Sequence, residues 1–290
     1  MKHFPDSELI LNADGSIFHL HLFPDQLADT VLLVGDPGRV DTIASRMSQI
    51  ECRVSNREFV TITGSFNGKR LSVVGTGIGA DNIDIVINEL DALVNIDLQT
   101  RTEKPVKRSL NLIRIGTCGG LQQDLPPGTF LISEKSIGLD SLLYYYANRS
   151  SVCDLALEAA FLQHMNWPKN DPQPYAVTAH PDLIKQIGGD DMKRGITITA
   201  NGFYGPQGRA LRMPLSRPEF NELLETFSFG PLRITNYEME SSAVAGLSAL
   251  LGHKAMTVCL VIANRLVKNV EVDYKTSMEK LIDTVLSRLN

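Results

Sequence analysis

The sequence contains no CxxC pair, and its four cysteines, Cys52, Cys118, Cys153 and Cys259, stand far apart. That spacing argues against a zinc site and a disulfide framework, and it fits a reducing, cytoplasmic environment. Long apolar runs are missing as well. No stretch approaches the roughly 20 apolar residues of a membrane helix. The opening MKHFPDSELILNADG also lacks the apolar segment of a signal peptide. There is no basic excess: 28 Lys and Arg face 33 Asp and Glu, for a net charge of −5. Nucleic-acid grooves carry the opposite balance, so neither nucleic acid nor membrane is an expected partner. The densest basic run, RTEKPVKR at 101–108, is broken by Glu103 and Pro105 and reads as a solvated insertion.

What is present is a chain of 290 residues, 43% hydrophobic, able to bury one large core or two smaller ones. Short Val- and Ile-rich runs alternate with stretches of helical period. VLLVG (31–35) reads as a buried strand, followed by a helical pattern to about residue 49. FVTITGSF (59–66) and RLSVVG (70–75) read as a hairpin joined by Asn67-Gly68. Helices are expected at 80–95, 239–252 and about 275–288, and strands at 112–116, 128–133, 195–200 and 256–264. The alternation predicts an α/β fold with a parallel or mixed sheet between helices. No linker, repeat or low-complexity segment divides the chain, so residues 1–290 are expected to form a single domain. Its least regular part is 139–190, which holds Tyr144, Tyr145, Tyr146 and the only tryptophan.

Three glycine-rich segments follow strands and read as turns: VGDPGR (34–39), VGTGIGA (74–80) and IGTCGG (115–120). In open α/β sheets, ligands gather beyond the carboxyl ends of the strands, where backbone N–H groups can face an anion. Gly75, Gly77 and Ala80 satisfy a dinucleotide fingerprint, with Asp97 near the distance of a ribose-binding acid. The fingerprint normally opens the first βαβ unit, however, and here other strands precede it. Arg39, Arg57 and Arg114 stand near strand ends, Arg114 inside a strand where a lone charge is costly. With Gly35 and Thr117 beside them, the set suits phosphate, whose oxygens match the guanidinium fork. Ordinary salt bridging is the alternative for each arginine taken singly.

In NYEMES, Glu238 and Glu240 stand two apart where an apolar helix begins. One reading makes them helix caps; the other frees a carboxylate to accept hydrogen bonds from sugar hydroxyls. VGDPGRV, SNREF, GTGIGA, IRIGTCGG, NYEMES and VIANR, in this order, resemble the nucleoside phosphorylase superfamily from about His19 to the C-terminus. Residues 1–17 then form an N-terminal extension and 97–110 an insertion. The resemblance implies one α/β domain around a mixed, barrel-like sheet flanked by helices, assembled into homo-oligomers whose subunits share active sites. It implies phosphate at Gly35, Arg39, Arg114 and Thr117, with Arg57 and His19 lent to a neighbouring subunit. Glu238, Met239 and Glu240 would hold the ribose. Glu58 and Ile78 match positions that hold a monovalent cation in some relatives, but Asn82 stands where those relatives carry Ser. No organic cofactor is implied.

The loop FYGPQGR (203–209) bears on the base. Uracil presents two carbonyl acceptors flanking an N–H donor, and an amide with a guanidinium supplies the complement. Gln207 and Arg209 provide both groups, and Phe203 can stack on the ring. The pattern is similar to the uracil-recognition loop of pyrimidine-specific members of the family, and Ile262 of VIANR falls beside the base in the same comparison. Purine-specific members place a Ser-Asp pair near the end of the late strand, where this chain has Asn264-Arg265. The expectation is a pentosyltransferase whose partners are uridine and phosphate. A purine phosphorylase, a nucleosidase and a non-catalytic nucleoside sensor are the alternatives.

Overall fold

The Val and Ile runs become strands, and the order of elements is strand, helix and hairpin before any closed structure forms. A computed structural model describes residues 2–266, 269–270 and 273–289. Strand β1 (Thr30–Val34) leads into α1 (Pro37–Ala44), and β2 (Gln49–Asn56), β3 (Phe59–Phe66) and β4 (Lys69–Gly75) follow as a meander. Helix α2 (Ala80–Asn95) ends at a small hairpin of β5 (Ile96–Asp97) and β6 (Thr102–Glu103). Next come β7 (Asn111–Gly120), β8 (Phe130–Gly138), α3 (Leu155–His164), β9 (Tyr175–Thr178), α4 (Pro181–Ile187) and β10 (Met192–Thr199). The rest is α5 (Phe220–Thr226), β11 (Ser228–Phe229), β12 (Leu232–Glu238), α6 (Ser241–Leu251), β13 (Lys254–Asn264), β14 (Asn269–Val270) and α7 (Lys275–Ser287).

Five strands close on themselves in the order β7, β13, β8, β10, β12. The seam is antiparallel, with Asn236 opposite Gly120 and Tyr237 opposite Gly119. From β7 the sheet continues outward through β1, β4, β3 and β2. This is the mixed, barrel-like sheet expected from the sequence, with helices on its faces. Helix α2 buries Ile83, Val86, Ile87, Leu90 and Leu93 on one side, at helical spacing, and lies against α6. Leu90 is fully buried, so its truncation to Ala costs about 2–5 kcal/mol.

Two local expectations are corrected. The helix expected to reach about residue 49 ends at Ala44, because Ser48 N already donates to Ser65 O and the chain has joined β3. Strand β2, which the sequence reading missed, is largely exposed and owes its form to that neighbour. IGTCGG is not a turn: β7 runs through it to Gly120. Its glycines serve the barrel closure and the space beside Arg114. The Asn67-Gly68 turn is as expected, with both residues at positive φ, 48° and 77°.

Candidate functional site

The carboxyl ends of β1 and β4 lie side by side because the two strands are parallel. The turns that follow them touch: a Cβ on Gly35 would sit 3.2 Å from the Gly77 carbonyl. The ends of β7, β12 and β13 and the 203–209 loop complete a cavity of about 880 Å³. Gly35, Arg39, Arg114 and Thr117 line it, and so do Glu238, Met239 and Glu240. Phe203, Gln207, Arg209, Ile262 and Ile78 face the same space. Three segments far apart in sequence, each assigned to a different part of one reaction, thus share one cavity.

Its deepest feature is an ionic cluster. Arg114 is buried, pairs with Glu240 Oε2, and lies 3.2 Å from Glu238 Oε2. Burial by itself would favour its neutral form, but the two carboxylates more than offset this and hold it charged. Gly116 makes room for the guanidinium: a Cβ there would fall 2.8 Å from Arg114 Cζ. Arg39 is also buried, and its Nη1 donates to Ile115 O at 3.1 Å. Burial and then the nearby Arg114 charge push its pKa down. An anion placed between the two guanidiniums would relieve that repulsion.

The two glutamates have different environments. Glu238 Oε2 accepts from the N–H groups of Glu240 and Ser241, at 2.9 and 2.8 Å, so this carboxylate caps α6. Glu240 occupies the cap position in sequence but makes no side-chain cap. Instead its Oε1 accepts from Gly79 N at 2.7 Å. Burial raises its pKa against the pull of Arg114. The same contact engages the dinucleotide-like turn. Gly79 presents its N–H to Glu240, and Asp97, at the other end of a 16-residue helix, accepts from Gln99 N and Thr100 N in its own turn.

In the 203–209 loop, a short 3₁₀ turn at Gly205–Gln207 buries the Gln207 side chain. Gly208 takes φ 68°, a left-handed position that suits glycine. Arg209 Nη1 donates to Gln207 Oε1 at 2.7 Å and to Phe203 O at 2.6 Å. Its guanidinium stands 3.9 Å from the centre of the half-exposed Phe203 ring. The amide carbonyl is therefore identified by a donor, which leaves Gln207 Nε2 as a donor toward the cavity. Burial, reinforced by Arg265, lowers the Arg209 pKa to about 10.

His19 and Arg57 do not line this cavity. They sit together elsewhere: Arg57 lies over the Phe18 ring at 5.2 Å, the next residue is His19, and Asn56 Nδ2 donates to His19 O at 2.8 Å. His19 Nδ1 meets Glu89 Oε1 at 2.6 Å. Arg57 turns the chain between β2 and β3 at φ 54°. Glu58 and Asn82 flank Gly77, beside Ile78. Among the described residues, no group of three or more His, Cys, Asp or Glu side chains is set to hold a metal.

Arg265, Tyr237 and Tyr274 also line the cavity and were not singled out as ligands. Arg265 Nη2 donates to Gly208 O at 3.2 Å, tying the end of β13 to the loop. Its place at a strand's carboxyl end was the available signal. Asn264 is buried, and its Nδ2 donates to the carbonyls of Gln122 and Leu125, both at 2.8 Å. Cys118 lines the cavity too, and burial holds its thiol well above the usual range. Among the described residues no helix is long and apolar enough to cross a membrane.

Comparison with known proteins agrees with this geometry. The family profile described as "Phosphorylase superfamily" matches residues 29–287. The uridine phosphorylase of Thermococcus kodakarensis is 28% identical over 273 residues, covering 91% of this chain and 83% of that protein. A DeoD-type purine nucleoside phosphorylase of a Geobacillus species is 29% identical over 279 residues, covering 92% and 96%. The crystal structure of a Trypanosoma brucei nucleoside phosphorylase, described as showing uridine phosphorylase activity, superposes with a TM-score of 0.85. It is 29% identical and covers 97% of this chain and 99% of its own.

Proposed function

The chain belongs to the phosphorylase superfamily, and we propose that it catalyses the reversible phosphorolysis of uridine to uracil and ribose 1-phosphate. One observation carries the choice of base: the buried Gln207 amide opens on the cavity with its carbonyl oxygen already bonded to Arg209. Its Nε2 then donates to a uracil carbonyl, and the second lone pair of Oε1 accepts from the ring N–H. Arg209 serves the other carbonyl, and Phe203 and Ile262 pack on the ring. At the end of β13, where purine-specific members place an acid to protonate the leaving base, this chain has Asn264, whose amide is held by backbone carbonyls.

In this reading phosphate lies between Arg39 and Arg114, with Thr117 and the Gly35 backbone as further donors. Met239 packs against the ribose and Glu240 accepts from its hydroxyls. As the glycosidic bond loosens, positive charge develops on the sugar, in the manner of glycoside hydrolysis, and phosphate oxygen attacks C1′. The electron pair of the breaking bond passes to uracil, where Gln207 and Arg209 stabilise the charge as it develops. Phosphate supplies the nucleophile, so no organic cofactor enters the reaction. His19 and Arg57 form a patch apart from their own chain's cavity, which supports a homo-oligomer in which they reach the cavity of a neighbour.

The test is uracil release from uridine, with and without phosphate, against inosine under the same conditions. Phosphate-dependent release favouring uridine is expected. Equal release without phosphate would identify a nucleosidase, faster inosine turnover would identify a purine phosphorylase, and binding without turnover would identify a sensor.

A further inference from the structure

The Glu238 carboxylate is saturated by the protein. Oε1 accepts from Thr199 Oγ1 at 2.7 Å and from Ser241 Oγ at 2.8 Å. Oε2 accepts from two backbone N–H groups at 2.9 and 2.8 Å and also faces Arg114 Nη1 at 3.2 Å. An ionised carboxylate offers about four lone-pair sites, and four hydrogen bonds fill them. Its side chain is 1% exposed. Glu240, two residues away, spends one oxygen on Gly79 N and the other on Arg114, so half its accepting capacity remains for a ligand. Thr199 Oγ1 further accepts from Ser242 N at 2.9 Å, which locks the first turn of α6 to the end of β10.

We propose that Glu238 is a positioning residue, which sets Arg114 for phosphate and Glu240 for the sugar without touching either substrate. The inference rests on the phosphorolysis reading and assigns one of its acidic pair a different task. Its logic is electrostatic and geometric. Glu238 fixes the turn that carries Glu240, and it competes with phosphate for the guanidinium of Arg114. Removing its charge while keeping its shape therefore strengthens phosphate binding through Arg114, and, unlike the loss of a direct ligand of ribose hydroxyls, it leaves the discrimination between ribo- and deoxyribonucleosides unchanged.

Glu238→Gln isolates the charge. The Gln carbonyl can take the two backbone N–H groups, and its amide can face the hydroxyls of Thr199 and Ser241, which rotate to accept. Phosphate binding is measured by calorimetry on wild type and E238Q, and kcat/KM with uridine and 2′-deoxyuridine on wild type, E238Q and E240Q. In E238Q the phosphate Kd is expected to fall about threefold or more. Its discrimination between the two nucleosides should stay within about twofold of wild type, while E240Q loses discrimination by about tenfold or more. Unchanged or weaker phosphate binding in E238Q, or a loss of discrimination like that of E240Q, overturns the inference. A wild type that neither binds phosphate nor turns uridine over overturns the phosphorolysis reading itself, so the two failures are distinct. Should E238Q not fold, Thr199→Val loosens the same carboxylate by one donor. It should slow both nucleosides by one common factor, and unequal factors would overturn the inference.

Discussion

Arg209→Ala is the substitution that most directly probes base recognition. The side chain makes two charge-assisted hydrogen bonds, to Gln207 Oε1 and Phe203 O, and stacks on the Phe203 ring. Its loss removes one donor aimed at a developing anion, an effect of about 2.7–4 kcal/mol, or about 10²–10³ in kcat. It also releases the Gln207 amide. A charged hydrogen bond contributes about 1.5–3 kcal/mol, but the loop can relax, so a further factor of about 10 in KM is the reasonable addition. Uridine phosphorolysis should fall by about 10³–10⁴ in kcat/KM, read from uracil release at saturating phosphate. The loop lies apart from the buried aliphatic core, so the melting temperature should move by only about 2–4 °C. Arg209→Lys keeps the charge but not the planar fork and should fall between the two. Uridine turnover in Arg209→Ala within about tenfold of wild type would refute the assignment of this loop to the base.

Gly116→Ala inserts a methyl group 2.8 Å from Arg114 Cζ. The guanidinium can swing away, so the fold should survive while kcat/KM falls by about 10²-fold or more; uridine assays paired with thermal melts check this. Asp140 accepts from Leu142 N at 2.8 Å and Tyr175 Oη at 3.1 Å. Burial raises its pKa above the ordinary value, so its stabilising contribution is present below about pH 4 and is lost as pH rises through the folded value. Asp140→Asn should therefore gain stability relative to wild type between pH 4.5 and pH 7, read as the difference in melting temperature at each pH. Finally, Arg57→Ala and Arg114→Ala should each be nearly inactive alone. If subunits share sites, refolding the two together should restore about a quarter to a half of the activity per site; no recovery would place Arg57 and Arg114 in the same subunit's site, and an active Arg57→Ala enzyme would place Arg57 outside the reaction.

Much of the architecture was legible because it depends on short-range patterning. Short Val- and Ile-rich runs marked β3, β4 and β13, apolar residues at helical spacing marked α2, and Asn-Gly marked the hairpin between β3 and β4. Strand β2 was not legible, since an exposed edge strand takes its form from the neighbouring strand and only weakly from its own apolar pattern. IGTCGG misled for a related reason. Glycine normally ends a strand, but β7 tolerates it where β12 closes the barrel and where the Arg114 guanidinium needs the missing Cβ. Membership of the cavity followed from the rule that ligands gather at strand carboxyl ends, and most of the proposed ligands do line it.

The division of labour between Glu238 and Glu240 lay beyond sequence reading. Both are acids at a helix start, and the helix-cap and sugar-ligand readings apply equally to either when only spacing is known. Three-dimensional hydrogen-bond counting separates them. The backbone N–H groups at the start of α6 go to Glu238, and Gly79, from a turn about 160 residues earlier, goes to Glu240. The cap is thus made from two residues before the helix's own cap position, and this frees the next carboxylate to face the cavity. An acidic pair spaced by one residue can supply both functions because one member satisfies the helix terminus and the other is left to bind.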